Sequence, residues 1–182
     1  VNQFDGQRDG ARDTSFVRAV LQFDPSDQLS VQLAIDYSES DPKRSRTPSK
    51  ETPISIILGP TFEADQNPFV VNADFNTTEF TTTKGASLNA SWNIDEQWTF
   101  KSISSYRELD YGTELDLDGT PINAFGIDDF NEQEQSSQEF QLQYQGDKTS
   151  IVTGLYYFSE QGQTFDGGIF ANIFSASAGD GF

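Results

Sequence analysis

The sequence predicts an all-β chain, an antiparallel up-and-down meander of about six strands. Two observations carry this. Short segments alternate apolar and polar residues with a period of two, and small polar turns join them in pairs. No segment shows the apolar period of an amphipathic helix.

The first hairpin spans about residues 14–39. In "SFVRAVLQF", Val17, Ala19, Leu21 and Phe23 share one parity. Arg18 and Gln22 take the other, with Phe16 and Val20 as exceptions. "DPSD", Asp24 to Asp27, reads as the turn, because Pro and Asp favour turn positions. The second strand alternates most cleanly: Leu29, Val31, Leu33, Ile35 and Tyr37 against Ser30, Gln32, Ala34, Asp36 and Ser38.

A long irregular segment over about 40–83 follows, with five prolines from Pro42 to Pro68 and a basic cluster, Lys43, Arg44, Arg46 and Lys50. Loops of this length carry function or disorder. The cluster could meet phosphates, but a solvated loop is the preferred reading.

The second hairpin covers about 84–111. Ala86, Leu88, Ala90, Trp92 and Ile94 oppose Ser87, Asn89, Ser91 and Asn93, and Asp95 to Gln97 turn the chain. The strand from Trp98 alternates more weakly. A long connection over about 112–134 contains "ELDLDGTP", which sets Glu114, Asp116 and Asp118 two apart. These carboxylates suggest calcium or a hydrolase pair, but Gly119 follows Asp118 too early for an EF-hand loop. A solvated loop is preferred here too.

The third hairpin, about 135–160, holds Phe140, Leu142 and Tyr144 between Glu139, Gln141, Gln143 and Gln145. The interleaved face is wholly polar. It suits water, or the wet lumen of a large barrel, better than a dry core. The partner strand "IVTGLYYFSEQ" is apolar on both parities, and residues 161–182 read as loop.

Composition narrows the function classes. The chain has 182 residues and a formal charge of −18, which repels a nucleic-acid backbone. It has neither Cys nor His, so zinc sites of those ligands and Cys or Ser–His nucleophiles are excluded. No enzyme activity, cofactor, metal site or catalytic residue is expected. Mean hydropathy is −0.56. That value is compatible with a membrane β-barrel, where only alternate residues face lipid.

Short turns, strands of about ten residues and long loops in alternation are the pattern of outer-membrane barrels. On this reading Val17, Leu21, Leu29, Val31, Leu33, Ile35, Tyr37, Leu88, Trp92, Phe140, Leu142 and Tyr144 face lipid. Phe23, Tyr37, Trp92, Trp98, Tyr106 and Tyr157 suit the interfacial girdles. Gln32, Asp36, Asn89, Ser91, Gln141 and Gln143 face the lumen. Single-chain barrels of this class begin at about eight strands. About six strands, in a chain that starts at Val1 rather than Met, therefore suggest residues 1–182 as a partial barrel domain.

Three phrases resemble the TonB-dependent receptor family: "FVRAVLQFDPSDQLSVQLAIDYSESD", "WTFKSISSYRELDYGTELDLDGTP" and "SSQEFQLQYQGDKTSIVTGLYYFSEQ". The likeness covers about 14–39 and 85–161. It implies a larger plugged barrel in the bacterial outer membrane that imports a scarce ligand, such as an iron chelate (siderophore), cobalamin or carbohydrate. The implied partners are outer-membrane lipid, a small-molecule ligand and, through a plug domain absent here, the TonB energy-coupling protein. Two other classes fit the loops and strands: a different outer-membrane porin or adhesin barrel, and a secreted β-rich binding module. The last needs a dry core.

Overall fold

The computed structural model describes residues 2–6, 8, 10, 12–42, 67, 69–73, 78–117, 119–121 and 126–167. They form six strands: β1 (Arg12–Ser26), β2 (Leu29–Pro42), β3 (Thr78–Asn93), β4 (Trp98–Asp116), β5 (Gly126–Gln145) and β6 (Ser150–Gly167). The strands make one antiparallel sheet in the order β1-β2-β3-β4-β5-β6, and no described residue is helical. This is the expected meander. The sheet is open, since β1 and β6 do not pair with each other.

Local chemistry explains the turns. Asp95 Oδ1 accepts from the backbone N–H groups of Gln97 and Trp98, both at 2.8 Å, which closes the expected turn between β3 and β4. Between β5 and β6, the Gly146 N–H donates to the Thr149 carbonyl at 2.8 Å. The β1–β2 turn is shorter than expected. It turns at Asp27 and Gln28, where Ser26 Oγ accepts from the N–H groups of Gln28 and Leu29 at 3.3 and 3.2 Å. Asp24 and Pro25 instead fall within β1, where the register shifts between Phe23 and Ser26. Proline has no N–H for a ladder, so it sits where the ladder is broken.

The strands also run past the expected hairpin limits. β4, β5 and β6 hold 19, 20 and 18 residues. Stretches read as loop at 40–42, 78–83, 112–116, 126–134 and 161–167 are strand. In the last three, Asp, Glu and Gly content masks the strand signal, but ladder pairing from Asp116 and Gly126 onward holds the backbone extended. The basic cluster Lys43, Arg44, Arg46 and Lys50 lies outside the described residues.

Among the described residues the sheet has no dry core. Ala34, Val71 and Ala73 are the buried apolar residues among those described. Leu21 is 64% exposed and Leu155 is 76% exposed. The apolar side chains are arranged on a surface.

Candidate functional site

Ladder partners in an antiparallel sheet point to the same side. All twelve residues expected to face lipid therefore share one face. Leu21 pairs with Leu33, and Leu33 with Leu88. Val17 pairs with Tyr37, and Leu29 with Trp92. Val31 pairs with Phe23 and Ala90, and Ile35 with Ala19 and Ala86. From Trp92 the face passes to Phe100, and then to Leu142. Tyr144 pairs with Trp98, and Phe140 with Ser102.

This apolar band has two polar-aromatic borders. At the turn end stand Trp92, Trp98 and Tyr144, and the Trp98 and Tyr144 ring centroids are 4.8 Å apart. At the other end stand Tyr37 and Tyr106, bonded to carboxylates. Tyr37 donates to Glu39 Oε2 at 3.1 Å, and Tyr106 to Glu108 Oε1 at 2.8 Å. Lys84 Nζ meets Glu108 Oε2 at 3.1 Å. Lys84 and Glu108 lie in the same transverse row as Val17 and Tyr37, at the border itself. Between the borders, Leu29 to Tyr37 matches the 9–11 or so residues that a tilted membrane strand needs.

Ser102, Ser104 and Gln138 interrupt the band as a polar cluster, and Ser136 and Ser159 also lie on this face. Gln138 Oε1 accepts from Ser104 Oγ, and Gln138 Nε2 donates to Ser102 Oγ and the Glu139 carbonyl, both at 3.1 Å. Its amide is satisfied within the face itself.

The opposite face is mostly polar over β2 to β5, with Ile103 and Leu109 as apolar exceptions on β4, and carries all six residues expected on the lumen side. One transverse row runs through Arg18, Asp36, Gly85, Arg107, Gln135 and Glu160. Arg107 Nη2 reaches Asp36 Oδ2 at 3.3 Å and Oδ1 at 3.5 Å, spanning from β4 to β2 over β3. The bridge crosses at Gly85. A Cβ there would lie 2.8 Å from Asp36 Oδ2 and 3.0 Å from Arg107 Nη2. Glycine makes room for an ion pair between strands that are not neighbours. Gln135 Nε2 continues the row by donating to Glu160 Oε2 at 3.0 Å.

Along β5 an amide ladder lies on this face. Gln143 Nε2 donates to Gln141 Oε1 at 2.8 Å, and Gln141 Nε2 to Glu139 Oε1 at 2.6 Å. The edge strands differ from the inner ones. Phe16 and Val20 on β1, and Val152, Tyr156 and Phe158 on β6, put exposed apolar groups on this mostly polar face.

The acidic run "ELDLD" does not form a cation cage among the described residues. Glu114 accepts from Thr78 Oγ1 at 3.3 Å, while Asp116 is buried and its Oδ1 accepts from the Gly119 N–H at 2.7 Å. Asp118 lies outside the described residues. No group of three or more His, Cys, Asp or Glu is placed to hold a metal among the described residues.

Two features escaped the sequence reading. The Asp36–Arg107 bridge joins residues 71 apart in sequence, and no local pattern signals it. A row of phenylalanines, Phe80, Phe130 and Phe165, lies in segments read as loop. Their parity, continued from the hairpins, was the available signal.

Scans of protein-family models, of curated proteins and of solved structures find no match to this chain.

Proposed function

We propose that this chain is part of the wall of an outer-membrane β-barrel transporter of the TonB-dependent receptor type. The reading rests on one observation above the others. The register assembles a one-sided apolar band, bordered by aromatics at both ends, with a hydrogen-bonded polar face behind it. In water, large exposed apolar surfaces like this are rare in monomers. Against hydrocarbon the same face is covered, and strand pairing satisfies the backbone.

Other features agree. The open edges of β1 and β6 call for further strands to close the sheet. The self-satisfied Gln138 can meet lipid without an unpaired polar atom. The amide ladder and the Arg107–Asp36 row suit a wet lumen through which a small polar ligand passes. The resemblance noted above then assigns the ligand class: a scarce nutrient such as an iron chelate, cobalamin or a carbohydrate, with energy delivered by TonB through a plug.

The two tryptophans of the chain test this reading. Trp92 and Trp98 share the turn-end border of the band. In bilayers carrying brominated lipids, both should be quenched, most strongly by bromines placed near the headgroup. Emission typical of water, unquenched by bromine at any depth, would sink the membrane assignment.

A further inference from the structure

Above the Tyr37 and Tyr106 border the outer face changes character. Phe80 pairs with Gly112, Gly112 with Phe130, and Phe130 with Phe165, so three phenylalanines share one transverse row. The Phe80 and Phe130 ring centroids are 6.4 Å apart. An added Cβ on Gly112 would collide with the Phe80 ring and come within 2.7 Å of Phe130 Cδ1. The glycine therefore lets both rings close over the backbone. Phe80 is 40% exposed and Phe165 is 54% exposed. A strand extension that merely stands in water needs no such row, and a cluster of exposed aromatics marks a contact surface.

The surroundings indicate what it contacts. Glu108, Asp110, Glu114, Asp128, Glu132 and Glu134 share this face by parity, against Lys84. Beside the row, a cleft of about 250 Å³ is lined by Glu132, Glu134, Gln161, Gly162 and Gln163. It holds two carboxylates, one of which, Glu134, accepts from Gln161 Nε2 at 2.9 Å, and offers them as acceptors to an incoming cation. The phosphates of lipid headgroups are repelled by this charge.

We propose that the Phe80, Phe130 and Phe165 row docks a protein segment carrying Lys or Arg beside apolar side chains. The apolar groups cover the rings, and a cationic side chain enters the Glu132–Glu134 cleft. From the transporter reading this takes only that the row stands clear of the bilayer.

The test uses the full chain folded in detergent micelles and two labelled synthetic peptides, one of alternating lysine and leucine and one of lysine alone. The alternating peptide should bind about tenfold tighter, and Phe80→Ser with Phe130→Ser and Phe165→Ser should abolish that preference. Glu132→Gln with Glu134→Gln, which leaves the rings in place, should weaken both peptides. Equal binding of the two peptides to the unaltered chain would overturn the proposal, because charge alone would then explain it. So would an unaltered chain that shows no peptide preference yet binds purified lipopolysaccharide in a calcium-dependent way that the serine variant loses. If the bromine experiment fails while the peptide preference holds, the docking surface stands and the transporter reading falls.

Discussion

Replacing Leu33 with arginine separates the two faces most sharply. Leu33 stands midway between the borders on β2, flanked by Leu21 and Leu88, and is 41% exposed. Each border is about 13 Å away along the strand. On the proposed membrane reading, an arginine there must hold its charge in hydrocarbon or bend toward a distant interface. The cost is about 2–4 kcal/mol for a cation at the midplane of a barrel. That corresponds to about a 30- to 700-fold loss in the folding equilibrium. Gln32 is the adjacent residue, exposed on the opposite face, where it donates to Gln22 Oε1 at 3.3 Å. Gln32→Arg should change stability by no more than about 0.5 kcal/mol. Both variants belong in the complete barrel in lipid vesicles, unfolded with urea and followed by tryptophan emission. If Leu33→Arg leaves the midpoint where it was, or if Gln32→Arg costs as much, the facing assignment is wrong.

Two glycine substitutions probe the wall itself. Gly85→Ala should open the Asp36–Arg107 bridge, because the new Cβ meets both side chains. With Arg107 53% exposed, the loss should be only about 0.2–1 kcal/mol, and it should vanish in an Arg107→Gln background. A double-mutant cycle showing no coupling would refute the bridge's dependence on Gly85. Gly154→Ala should cost more, about 1–3 kcal/mol, because its Cβ would lie 2.5 Å from the Phe140 carbonyl oxygen, which no rotamer change can relieve. Gly162→Ala, at 3.1 Å from the Glu132 carbonyl oxygen, should cost less. Equal denaturation midpoints for these two would contradict the strand spacing.

Much of the two-faced sheet was legible in the chain because a strand has an exact side-chain period. Once Leu29, Val31, Leu33, Ile35 and Tyr37 share a parity, their common face follows from backbone geometry alone. The same arithmetic worked for Phe140, Leu142 and Tyr144. It failed at Asp24 and Pro25, where turn-forming residues occupy a ladder irregularity. It also failed at 112–116, 126–134 and 161–167, where acidic and glycine residues look like loop while pairing with a neighbour keeps them extended.

The sequence by itself determined which residues share a strand face, where the chain reverses at Asp95 to Gln97, and that no Cys or His chemistry is present. Only the tertiary structure decided which strands lie side by side and in what register. Register is a property of two strands at once, so it brings together Asp36 and Arg107, or Phe80 and Phe130, that no local pattern connects. Those cross-strand neighbours, rather than the alternation, distinguish a bordered apolar band and a bridged polar wall from six separate amphipathic strands.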